Sequence, residues 1–200
     1  MLEYPKNYPN SEAFIAASQP IMCNDIIDFF DGVSDHQVDS IMCLFTPKDT
    51  LEQTTHEIEV INTQTYSTFD ELRERRELIR TLRLVPRRSK PAQQEYENMR
   101  KETFINIVRN HYIYRSPLIL VHELYPFDLP SEIGQNVLWM VDDATPDFLV
   151  AQFLGAVMTM KGLTTDDVIL FERSRKSNTN YAKVSVPEIR HIHMWTRIKI

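Results

Sequence analysis

The stretch EIRHIHMWTR sets His191, His193 and Trp195 at alternate positions. On a β-strand, side chains at i, i+2 and i+4 share a face, so the three rings are expected side by side. Three chemistries fit that pattern. A neutral imidazole becomes a nucleophile when its second nitrogen is held, here by a backbone carbonyl or by Glu123. A metal site needs a third ligand, from His122 or Glu123, because two histidines do not complete one. The third option is a packed, hydrogen-bonded core cluster with no ligand. Trp195 brings one indole N–H as its only polar group. Arg173, Arg175 and Lys176, in the polar stretch before the strand, supply cations for an anion. Tyr125, Phe127 and Trp139 suit either a core or stacking on a base.

The elements that must carry these residues follow from periodicity. LILVHEL, NVLWMV, DVILFER and RHIHMWTRIK read as strands, with YPFDLP turning the chain between the first two. Between the second and third strands, TPDFLVAQFLGAVMTMKG reads as a helix. Thr145 is expected as its cap, Pro146 at its first position and Gly162 past its end. Phe148, Leu149, Phe153, Leu154, Val157 and Met158 are its expected buried face. Upstream, NDIIDFFDG predicts a short helix capped by Asn24, and SDHQVDSIMCLF a second, opened by a Ser34–Gln37 capping box. TPKDTLEQTTHEIEVI reads as a third helix behind Pro47. TFDELRERRELIRTLRL and PAQQEYENMRKETFINIVRNHY read as further helices, separated by VPRRSKP.

A chain of 200 residues, 42% hydrophobic and 25% charged, is long enough for a substantial core. No apolar run approaches the ~18 residues of a membrane span, and the N-terminus lacks a signal-peptide pattern. Cys23 and Cys43 form no zinc or disulfide framework and are expected as buried thiols, in an intracellular, cytoplasmic setting. A net charge of −6 argues against general nucleic-acid or membrane binding. The charge is uneven: Arg73 to Lys90 holds eight basic residues against two acidic ones. That run is either a solvated helix face or a local anion or partner site.

TFDELRE, RRSKPAQQEY, YPF, LWMV, ILFER and HIHMW fall in an order that resembles the N-acetylglucosamine-induced protein family, a domain family of unknown function. The resemblance spans residues 66–195. Three polar positions depart from the family pattern: Glu123 stands for Asn, Gln135 or Asn136 for His, and Arg173 for Asn. The layout strand-strand-helix-strand-strand closing on His-x-His is in turn similar to the nucleotide-binding half of the histidine-triad (HIT) superfamily. That likeness implies His191 as first member, His193 as the nucleophile toward phosphorus, and Trp195 in the third place.

The expected protein is therefore α+β: a HIT-like antiparallel sheet with a packed helix over 66–200, preceded by a helical region over 1–65. His193 and His191 are the expected catalytic residues; Glu123, Tyr125, Trp139, Arg173 and Trp195 are expected to bind substrate. The ligand implied is a nucleotide or sugar phosphate, with no metal and no cofactor. The alternative is a non-enzymatic interaction protein that keeps the scaffold and engages a protein partner, or itself, through residues 1–90.

Overall fold

A computed structural model describes residues 20–45, 59–61, 66–80, 84–98, 101–142, 144–172 and 189–198. The strands are β1 (Ile21–Met22), β2 (Glu59–Ile61), β3 (Leu84–Pro86), β4 (Leu118–His122), β5 (Ile133–Met140), β6 (Val168–Phe171) and β7 (His191–Arg197). The α-helices are α1 (Ile27–Phe30), α2 (Asp35–Phe45), α3 (Phe69–Glu74), α4 (Arg76–Arg80), α5 (Lys90–Asn98), α6 (Lys101–Val108) and α7 (Asp147–Lys161). A 3-10 turn, Cys23–Ile26, leads into α1, and a π turn, Arg109–Ile113, extends α6. Among the described residues no helix is long and apolar enough to cross a membrane.

The chain forms an α+β structure around a five-stranded antiparallel sheet in the order β1-β4-β5-β7-β6. A separate parallel pair joins β2 to β3. Strand β7 lies between β5 and β6, with His191 opposite Trp139 and His193 opposite both Val137 and Phe171. The period-two alternation then divides the sheet into two chemically different faces.

One face is hydrocarbon. Leu118, Leu120, Leu138, Met140, Val168, Leu170, Ile192 and Met194 pack against α7 and against Ile26, Val38, Ile41 and Phe45. Helix α7 starts directly after Pro146 and ends at Gly162, whose φ of 62° is the left-handed conformation that suits glycine at a helix end. The Thr145 hydroxyl donates to the Asp142 carbonyl instead of capping the helix. Phe148 and Leu149 are half-exposed rather than buried. They sit on the first turn, before the helix has passed under the N-terminal helices, and the buried stripe begins at Val150.

The opposite face holds the aromatic and polar residues of β5 and β7. It is covered by α6 and the π turn at one end and by α3, α4 and the β2–β3 pair at the other. The α3 start is a capping box: the Glu71 amide donates to Thr68 Oγ1, and the Thr68 amide to Glu71 Oε2. The long helix expected from Thr68 to Leu84 is broken at Arg75 and gives way to β3.

Several further expectations are corrected. The Asn24 cap is replaced by an earlier start, where the Met22 amide donates to Asp25. Residues 59–61 are strand, as their β-branched Val60 and Ile61 favour, while the rest of the helix expected behind Pro47 lies outside the described residues. Cys43 is exposed and Cys23 half-buried. The Ser34–Gln37 box forms as expected. Helices α1 and α2 pack beside α7 on the hydrocarbon face. Across the 65/66 boundary the chain is joined by hydrogen bonds, β1 to β4 and β2 to β3.

Gly155 sets how closely α7 approaches the N-terminal segment. A Cβ there would lie 2.7 Å from Val33 Cγ1 and 3.3 Å from Ile41 Cδ1. Gly155→Val is expected to cost about 1–3 kcal/mol through overpacking, read from the urea midpoint. Adding Val33→Ala should recover part of the loss; a single variant as stable as the parent would refute the close approach.

Candidate functional site

Period-two alternation carries the site. In register, β4, β5, β7 and β6 place Val121, Val137, His193 and Phe171 in one row, with Trp139 and His191 in the next. Glu123 follows β4 by one residue, and its amide still donates to the Gln135 carbonyl, so it continues the same face as Val121. His191, His193 and Glu123 are each about 95% buried.

Glu123 Oε2 lies 3.1 Å from His193 Nδ1. That separation brings the Nδ1 edge of the ring against the carboxylate. A carboxylate only accepts, so the proton between them belongs to His193 Nδ1. His193 stacks on Phe171 at 4.8 Å and meets the edge of Phe127 at 5.3 Å. His191 is held differently. Its Nδ1 donates to the Ile189 carbonyl at 2.9 Å, and its ring lies 4.6 Å from that of Trp139. The two imidazole centres are 5.4 Å apart.

Arg88 completes the charge set. Its Nη2 is 3.9 Å from Glu123 Oε1, its Nε donates to the Tyr125 carbonyl, and its guanidinium lies over the rings of Tyr96 and Phe127. Burial pushes the Glu123 carboxyl upward, the largest single influence. The contact with His193 and the charges of His193, Arg88 and His191 together outweigh it and hold the carboxyl below its ordinary value.

Two further contacts position these groups. Gln135 grips the backbone of Phe127 from both sides, its Oε1 accepting from the amide and its Nε2 donating to the carbonyl. This fixes the Tyr125-Pro126-Phe127 turn. Arg190, one residue before β7, donates to the Thr145 carbonyl, to Asp147 and to Glu172. Burial alone would lower its pKa, but Glu172 and Asp147 raise it, so the clamp stays charged at the entry to β7.

The structure brings five of the seven expected residues, His191, His193, Glu123, Tyr125 and Trp139, to one cleft. Trp195 shares their face but is fully buried among Phe127, Phe171 and Phe69, outside the cleft. Its indole N–H has no hydrogen-bond partner among the described residues. Arg173, with Arg175 and Lys176, lies outside the described residues. No cluster of three metal-ligating side chains is present among the described residues.

Arg88, Tyr96 and Phe104 also line the cleft and were not singled out. Arg88 stands in the basic run, within the break VPRRSKP, and Tyr96 and Phe104 fall on the apolar stripe of the helical segment that follows. The cleft is narrow. The space in and over it, open solvent at the mouth included, is about 280 Å³, and the room inside is that of about one water.

No family model matches the chain, and no curated protein matches it. Among solved structures, the crystal structure of HTC1 is similar over 65% of this chain and 83% of that one, at 14% identity and a TM-score of 0.38. A likeness that distant carries neither fold nor function across.

Glu123 makes acid sensitivity a direct readout of the cluster. Its folded-state pKa lies below the unfolded value, so its contribution is complete above the unfolded value, about 4.3, and drains away as pH falls through the folded-state value. Glu123→Gln should cost about 1–3 kcal/mol near neutral pH and flatten the acid limb of the stability curve. An acid limb identical to the parent's would remove Glu123 as its source.

Proposed function

We propose that the cleft binds a small phosphorylated molecule, a nucleotide or sugar phosphate, and that His193 attacks its phosphorus. The observation that supports this most is the contact between Glu123 and His193 Nδ1 beside the Arg88 guanidinium. Holding the proton on Nδ1 leaves the Nε2 lone pair for nucleophilic attack, the arrangement an activated imidazole needs. In this reading the Nε2–P bond forms as the P–O ester bond breaks, and the departing oxygen takes its proton from water. Water then cleaves the phospho-imidazole and regenerates His193. Arg88 offsets charge on the phosphate oxygens, the largest contribution in most such reactions. Tyr96, Tyr125 and Trp139 supply flat surfaces for an aromatic base.

The proposed relationship is to the HIT-like superfamily, through the N-acetylglucosamine-induced protein family, with an intracellular, cytoplasmic setting. What supports it is the His-x-His on a central antiparallel strand, with a long helix packed across the other face of the sheet. The third histidine of the triad pattern is replaced by Trp195, so the charge stabilisation that it would give falls to Arg88.

A second reading, a scaffold that keeps the pair and has no chemistry, draws on the closed cleft and the buried Trp195. A thermal-shift series with inorganic phosphate, AMP and glucose 6-phosphate separates the two. A ligand at 100 times its Kd adds about 2.7 kcal/mol, which raises Tm by about 5–11 °C for a chain of this size. Arg88→Leu should weaken binding at least tenfold, and His193→Ala should abolish phosphoester turnover. If no phosphate compound moves Tm at millimolar concentration, the ligand reading fails and the scaffold reading stands.

A further inference from the structure

The cleft does not end at the histidines. A second lobe adjoins it, with Phe104, Glu123, Val137 and Trp139 as walls common to the two. The two lobes differ in chemistry. The first gathers Arg88, His191 and His193, whereas the second is walled mostly by Ile107, Val108, Val121 and Leu124, with Tyr112, His122 and the shared Glu123 as its polar residues. Each lobe has room for about one water, so a ligand must displace side chains of the cover to enter. Phe104 of α6 lines both lobes, and shifting it would join them into one slot.

We infer that the ligand is a phosphomonoester of an apolar group, an aryl or branched alkyl phosphate, with its phosphate at Arg88 and its hydrocarbon in the second lobe. This rests on reading the cleft as a phosphate site and narrows its substrate class. A sugar in the second lobe would set most of its hydroxyls against Ile107, Val108, Val121 and Leu124, with Tyr112, His122 and Glu123 as the partners within the lobe. Each buried hydroxyl without a partner costs about tenfold or more in affinity. An apolar group gains from the same walls, and burial of a ring-sized surface supports at least a tenfold gain.

The test measures the calorimetric Kd of the full chain for inorganic phosphate, phenyl phosphate and glucose 6-phosphate, and repeats it in Val121→Thr. Val121 lines only the second lobe, so its hydroxyl variant perturbs the hydrocarbon site without touching Arg88 or the histidines. Phenyl phosphate is expected to bind at least tenfold tighter than the other two. Val121→Thr should erase most of that advantage while leaving the Kd for inorganic phosphate unchanged, which also reports that the variant is folded. Equal affinities for phenyl phosphate and glucose 6-phosphate in the parent chain would overturn the inference and leave the phosphate site standing. A failure of all three compounds to bind would overturn both.

Discussion

A carboxylate charge under a protein roof is the constraint on which the site is built. An isolated ionised carboxylate is too costly to bury, so Glu123 is buried together with compensating groups. His193 meets one of its oxygens and Arg88 approaches the other. Arg88 is itself held over the rings of Tyr96 and Phe127 and through its Nε to the Tyr125 carbonyl. One charge on the β4–β5 connection thereby ties together the start of α5, a central strand and a turn. The cluster is polarised before any ligand arrives, because its members are positioned by backbone and by packing.

Strand β7 is the partition that makes this possible. Ile192 and Met194 enter the hydrocarbon core beneath α7, while His191, His193 and Trp195 stand on the reverse. A one-residue slip would put two imidazoles against Val157 and Leu154 and expose Met194 to the charged cluster. Register is therefore strongly specified. Arg190 reinforces it at the strand entry, where one guanidinium binds the approach to α7, its first residue and the residue after β6.

Much of this was legible from spacing. The alternation of the histidines, the strands around Trp139 and Phe171, and α7 with Gly162 at its end all follow from local pattern. Phe148 and Leu149 did not follow, because an apolar residue on a helix's first turn is buried only if a neighbour reaches that far. The pairing of residues 59–61 with β3 depends on contact between segments far apart in sequence, and the break at Arg75 is a local turn of the backbone that the apolar pattern does not mark. Arg88 was hidden for a related reason. Inside a basic run every arginine looks solvated, and only the antiparallel bridge between Arg88 and Phe127 brings this one over the sheet. The role of Trp195 in packing was likewise invisible in a motif that treats it as the third member of a set.

The strand order carries a consequence for how the chain is made. Strand β7 joins β5 to β6, yet it follows both along the sequence. Until it has been synthesised, β5 has one hydrogen-bonding edge open and β6 has no partner in the sheet. Strands with bare edges and apolar faces invite pairing with other chains. The nascent protein thus passes through an interval in which α7 is complete while the sheet it must cover lacks the strand that joins β5 to β6. Until the segment around His191 is in place, those edges are where the unfinished sheet is open to pairing with other chains.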